Sequence, residues 1–471
     1  MTTIMWFRQD LRLHDNPALH SAVSRGDVIP LYIWDDSKYP WKPGAASQWW
    51  LHHSLAALDT SLRNAGSRLI LRTGNPLEQL FAVIQESKAV RIHWNRCYEP
   101  YARKRDEKIK TTLKEQGIEV ESFNGSLLFE PWEIQNKSST PYQVFTPFCN
   151  ACLSKAVPRA PEPPPSGIRA PEKMPFSEKL DSLRLLPRIP WDEQFYHYWK
   201  PGEQTAISKL DQFRRNAIAL YSSRRDLPGS QGTSQFSPHL HFGEISPRQI
   251  WHACINRPDS RQTALPFLRQ IAWREFAFHL LYHYPDSDCK PLKEHFSHFP
   301  WSSNTKWFNA WKKGQTGYPL VDAGMRELWT TGWMHNRVRM VVASFLVKHL
   351  LIPWQQGAEW FWDTLVDADL PNNTMGWQWT AGCGADAAPF FRIFNPMQQG
   401  KRFDPEGAYI RKWIPEIGSL PDEFIHEPWQ AGQQTLTKAG IKLGSSYPFP
   451  IVDHQQARNK ALEAYAAMKK S

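Results

Sequence analysis

A chain of 471 residues can bury the cores of two domains, or of three at most. It holds no run of about twenty apolar residues, which argues against a membrane span, and the charges at Arg8, Asp10 and Arg12 argue against a secretory signal peptide. Six scattered cysteines are too few for a disulfide framework and point to a reducing cytoplasm, while the formal net charge of +10 favours a polyanionic partner.

Short apolar runs at residues 4–7, 28–34, 69–73, 91–95 and 119–123 alternate with helical patterns at 47–65, 76–87 and 102–116. Parallel neighbours need crossover helices, so this alternation predicts an α/β domain with a doubly wound parallel sheet over residues 1–130. The first strand runs into Trp6-Phe7-Arg8-Gln9-Asp10 without a Gly-x-Gly-x-x-Gly, so the dinucleotide fingerprint is absent. Residues 131–201 read as an interdomain linker wrapped over the surface, because the proline run from Pro158 to Pro165 cannot be helix or central strand. From residue 202 to 471 the period is helical, with segments near 203–220, 247–256, 263–284, 319–331, 334–350 and 355–366 and a short last one in 451–471, which predicts an all-α second domain. Cys149 and Cys152 have no second pair at zinc spacing, and His279 and His283 lack the central Glu of a protease helix, so no metal is assigned.

Chemistry concentrates in residues 367–396, where two carboxylates, two side-chain amides and two tryptophans crowd together with glycines. That is a poor recipe for an ordinary core helix and suits a wall around a flat polar ligand such as a buried isoalloxazine ring. Two helical faces are equally unusual for a core: helical spacing aligns Trp333, Asn336, Arg337 and Met340 in one segment, and Gln270, Trp273 and Arg274 in another. Each face mixes an aromatic plate, an amide and a guanidinium, which suits a pocket that stacks bases and hydrogen-bonds their edges.

The residues Asp369-Leu370, Asn373, Gly376-Trp377-Gln378-Trp379 and 386–396 resemble the flavin-binding signature of the photolyase/cryptochrome family, with Phe390 where the family commonly has Tyr. The resemblance extends over essentially the whole chain, and the opening from Trp6 to Asn16 is similar to the family's antenna-chromophore domain. It implies FAD as cofactor, bound by Tyr221, Thr233, Ser234, Gln235, Phe236, Ser237, Arg274, Asn336, Arg339, Asp367, Ala368, Asp369 and Asn373. Asn373 is then expected to face ring nitrogen N5 and Arg339 to pair with Asp367, while the Thr233 and Ser234 hydroxyls suit the diphosphate.

The same resemblance implies that Trp377, Trp354 and Trp301 relay electrons from the surface, that Gln270, Trp273, Asn336, Met340 and Trp379 line a lesion pocket, and that Arg225, Arg337, Arg392 and Gln399 meet the DNA backbone. Gln270 stands where dimer photolyases of this type usually have Glu and looks more like the six-four enzymes. Those enzymes, however, carry paired histidines where this chain has His335-Asn336, and Asn336 with Met340 is the dimer-type pattern. Cys289-Lys290 matches the folate-contacting pair of bacterial photolyases, although Ala102 replaces the expected acidic folate ligand. Methenyltetrahydrofolate is therefore the leading antenna chromophore, with 8-hydroxy-deazaflavin or a second flavin as alternatives.

The resemblance thus implies a deoxyribodipyrimidine photo-lyase, most like bacterial cyclobutane pyrimidine dimer photolyases: a cytoplasmic monomer, without obligate protein partner, that repairs UV-damaged DNA by electron transfer from excited reduced FAD. The alternatives are a cryptochrome-type blue-light photoreceptor and a six-four photoproduct photolyase. Signalling members often append a long C-terminal tail, whereas this chain ends at Ser471, soon after Pro450.

Overall fold

The computed structural model describes residues 1–155, 158–255 and 260–469, with the side chains of 260 and 261 left out. It divides into two compact units whose segments interleave along the chain: Met1–Ala219, Ser234–Pro285 and Val366–Pro371 form one, and Leu220–Thr233, Asp286–Leu365 and the chain from Asn372 form the other.

The first unit is built on five parallel strands, β1 (Thr2–Phe7), β2 (Asp27–Trp34), β3 (Ile70–Thr73), β4 (Arg91–Asn95) and β5 (Glu119–Phe123), in the order β3-β2-β1-β4-β5. Helices α1 (Pro17–Ser24), α2 (Ala45–Asn64), α3 (Pro76–Ser87) and α4 (Pro100–Glu115) make the crossovers. Helices cover both faces of a parallel sheet, so its strands read as near-continuous apolar runs; Ile4, Trp6, Ile29, Leu31 and Ile92 pack with Leu80, Val83, Ile109 and Leu113. The chain order reverses between β1 and β4, where ligands of such sheets commonly bind. Near the carboxyl ends there, Arg8 donates to Asp106 at 2.8 Å and lies 4.3 Å over Trp6, and Tyr39 stacks on Tyr101 with ring centres 4.3 Å apart.

The sequence reading did not anticipate α1, although Asn16 caps it by accepting from Leu19 N and Pro17 opens it, both legible start signals. Nor did it anticipate α5 (Phe145–Ser154), which interrupts the linker and buries Phe145, Phe148, Cys149 and Cys152. The extended part of the linker is docked by backbone hydrogen bonds, from Ile168 N to Ala65 O (2.7 Å), Val28 N to Arg169 O (2.8 Å) and Glu178 N to Leu71 O (2.9 Å). His279 accepts from Tyr142 N at 3.0 Å, and the rings of His279 and His283 meet Pro131 O at 3.1 and 3.2 Å, so this pair fastens the linker to the helix Ser260–His283.

Beyond Phe123 the described residues form helices and loops without a further strand, as the α/β plus all-α reading expects. Within the stretch that reads as a poor recipe for an ordinary core helix, residues Leu370–Ala381 form a helix, because tertiary burial of Trp377 and Gln378 outweighs the local propensity of its Asn and Gly. Helices at Thr305–Lys312, Pro396–Phe403 and Ala408–Trp413 also escaped the reading. The segment expected at 247–256 forms as Pro247–Ile255 and the last one as His454–Met468; residue 256 and residues 470–471 lie outside the described residues. No helix among the described residues is long and apolar enough to cross a membrane.

Candidate functional site

In the first unit, the helix Ser260–His283 carries Gln270, Trp273 and Arg274. The buried Arg274 donates to Ser126 O at 2.8 Å, lies 4.5 Å over the Phe278 ring and stands 3.7 Å from Glu275 Oε1, so its cation is held by a carbonyl, an aromatic face and a carboxylate. Trp273 stacks on Phe145, ring centres 3.6 Å and planes 9° apart, which covers one indole face. Gln270 Nε2 reaches back to Pro266 O at 3.4 Å.

The turn Ser234-Gln235-Phe236-Ser237 has Gln235 in the left-handed region at φ 52°, between half-buried Ser234 and buried Phe236. Ser237 opens the short helix Ser237–His241, whose last residue sets Nδ1 3.4 Å from Asp369 Oδ2. His241 was missed in the sequence; its signal was its place four residues beyond the flavin-type turn. Asp367, Ala368 and Asp369 are 7%, 2% and 6% exposed. Two buried carboxylates with one residue between them are costly unless polar groups meet them, as His241 meets Asp369.

In the second unit, Tyr221 is buried, and burial above all pushes its phenol up to about 12. Thr233 follows Gly232, where a Cβ would stand 2.2 Å from Arg224 O, so only glycine lets the turn close. Asn336, Arg337, Arg339 and Met340 sit on the helix Asn336–Ser344, exposed at Asn336 and half-buried at the other three. His335 caps that helix, its Nδ1 accepting from Arg337 N at 3.2 Å; burial pushes its pKa down to about 4 and keeps the ring neutral, as an accepting cap requires.

Behind the cap, Glu327 accepts from His335 N (3.0 Å) and from the Tyr409 hydroxyl (2.6 Å). Arg339 Nε donates to Met334 O at 2.7 Å. Arg337 Nη2 donates to Asp226 Oδ1 at 2.9 Å, with Arg225 next to that carboxylate in the chain. Exposed Arg392 is tied through its carbonyl to Lys348 Nζ at 3.0 Å, half-buried Trp379 lies on the helix Leu370–Ala381, and Gln399 keeps a buried Oε1 without partner.

Asn373 donates from Nδ2 to Ala358 O at 3.1 Å, which orients the amide and leaves Oδ1 as an acceptor for a ring N–H. Trp377 rests on bare backbone: a Cβ on Gly357 would come within 2.1 Å of its Cη2. Trp354 begins the same helix, Trp354–Thr364, one turn before Gly357. With Trp301, Cys289 and Lys290 it lines a cavity of 420 Å³, so two of the tryptophans expected in a relay and the pair expected at an antenna line one cavity. Trp377 also meets buried Trp311 edge-on at 6.3 Å, a neighbour the sequence reading did not single out.

Each unit by itself carries groups of the kind that meet the polar edge of a flat ligand: buried carboxylates and a guanidinium in the first, an oriented amide in the second. Comparison with known proteins gives the ligand a name. The family model described as DNA photolyase matches residues 3–166, and that described as the FAD binding domain of DNA photolyase matches residues 267–467. The deoxyribodipyrimidine photo-lyase of Agrobacterium fabrum is 50% identical over 99% of this chain and 98% of its own length. Cryptochrome-1 of Arabidopsis thaliana is 41% identical over 99% of this chain and 70% of its own. The crystal structure of a bacterial class III photolyase from Agrobacterium tumefaciens superposes with a TM-score of 0.97 at 50% identity, covering 100% of this chain and 98% of that one.

Proposed function

This chain belongs to the photolyase/cryptochrome family, and on that premise we propose that it is a light-driven deoxyribodipyrimidine photo-lyase, which binds FAD and splits cyclobutane pyrimidine dimers in UV-damaged DNA. The carrying observation is the full-length 50% identity to a bacterial photo-lyase. When bound, FAD would supply the light-driven one-electron chemistry that splits the dimer. The dimer leaves the stack to be reached, at a cost of roughly a few kcal/mol that damage lessens.

The chain's own residues bind and orient. Asn373 Oδ1 would accept from a ring-edge N–H, Arg274, Asp367 and Asp369 would hold polar edges, and Thr233 and Ser234 would take the diphosphate; the fixed amide of Asn373 supports this assignment. Trp273 offers the dimer its face opposite Phe145, and Gln270, Asn336, Met340 and Trp379 are assigned to the same lesion. Trp377, Trp354 and Trp301 carry electrons inward, a reading supported by Trp377 packing on Gly357, one helical turn after Trp354, and by the cavity that Trp354 lines with Trp301.

Residues 1–130 serve as antenna domain, 131–201 as linker and 202–471 as catalytic domain. The antenna is a folate at Cys289 and Lys290: Gln355, lining the same cavity, has a buried Oε1 without partner that suits a pterin N–H.

The test is repair itself. Chemically reduced protein, a thymine-dimer oligonucleotide and blue light should yield restored thymines by chromatography. A flavin-loaded protein that leaves the dimer intact would instead be a photoreceptor, the reading favoured by the 41% identical cryptochrome.

A further inference from the structure

Arg225 and Arg337, two of the three arginines assigned to the DNA backbone, share one carboxylate in the free protein. Arg337 Nη2 donates to Asp226 Oδ1 at 2.9 Å, and Arg225 Nε stands 3.9 Å from Asp226 Oδ2. The neighbouring His335 ring stays neutral and adds no compensating charge. We propose that Asp226 is an electrostatic brake on DNA binding: it competes with backbone phosphate for Arg337 and so lowers affinity for damaged and undamaged duplex alike.

The rival role, holding Arg337 in place for phosphate, is the weaker one. The pair is part-exposed, with 19% and 34% of the two side chains accessible, and such pairs contribute little. The guanidinium is held independently, 4.3 Å over the Phe403 ring. With orientation secured by Phe403, the main effect of the carboxylate is to cancel charge where a phosphate would sit. Backbone affinity carries no sequence information, so a brake on it shortens the time spent on intact DNA, while a flipped dimer adds contacts of its own.

The proposal rests on the reading of Arg337 as a phosphate contact, and the experiment separates the two. Asp226→Asn, with Asp226→Ser as a second variant, is compared with the parent holoenzyme by fluorescence anisotropy on intact and thymine-dimer duplexes across a salt series. Both affinities should rise about threefold to tenfold at low salt and converge with the parent at high salt. In an Arg337→Ala background the gain should vanish. Weaker binding in both Asp226 variants, or an equal gain without Arg337, overturns the brake. If Arg337→Ala alone changes neither affinity nor salt slope, the phosphate reading itself fails.

Discussion

At Trp377 the indole is buried against the backbone of Gly357 and edge-on to Trp311, with Trp354 starting the same helix one turn earlier. Phenylalanine there keeps a similar shape but is far harder to oxidise. Trp377→Phe should therefore drop light-driven reduction of the oxidised flavin by an external donor to near background, measured by absorbance under blue light. Repair by enzyme reduced chemically beforehand should survive, because that electron does not pass through the relay. Trp273→Ala should do the reverse, leaving photoreduction intact and weakening dimer binding by about 1 to 3 kcal/mol through lost stacking. Loss of repair in pre-reduced, flavin-loaded Trp377→Phe would make Trp377 a lesion-pocket residue instead.

Helices are the next scale, and two of them set the site through features no single side chain reveals. Alanine in place of a helical glycine ordinarily gains about 1 kcal/mol. At Gly357 the added Cβ would meet Trp377 Cη2 at 2.1 Å, so overpacking of about 1 to 3 kcal/mol wins and Gly357→Ala should lower the melting temperature. A rise in melting temperature would show that the indole can move aside. Glu327, on the helix Pro319–Thr331, is pushed up to about 7, mainly by burial. Its folded value lies above the unfolded one, so the folded state holds the extra proton between pH 4.5 and about 7, and stability is lost as pH rises through that window. Glu327→Gln keeps an acceptor for Tyr409 and His335 and removes the charge; melting curves should place it above the parent at pH 8 and level with or below it at pH 5. An offset that does not change with pH would mean that Glu327 is ionised throughout.

For the whole molecule, the formal net charge of +10 makes DNA affinity a salt-dependent quantity. Arg337→Ala should weaken binding to damaged and intact duplex alike and flatten the plot of log affinity against log salt by about one. A loss confined to damaged DNA would move Arg337 from the backbone to the lesion. At this scale too, the limits of the sequence show in particular elements. β4 and β5 were bounded correctly from short runs, β4 because residues 92–95 are all buried inside the sheet, β5 although as an edge strand it buries Val120 alone. The helix Leu370–Ala381 was missed because its Asn, Gly and Gln argue locally against a helix, and only burial of Trp377 and Gln378 against distant segments reverses that. By itself the sequence determined the α/β plus all-α class and the family, since periodicity and a long motif are local properties of the chain. Tertiary structure alone decided that Gly357 makes room for Trp377, that Asn373 turns its oxygen outward by donating to Ala358, and that Asp226 occupies Arg337. Those pairings join residues far apart in the chain, and no local pattern records which of many distant partners folding will bring within reach.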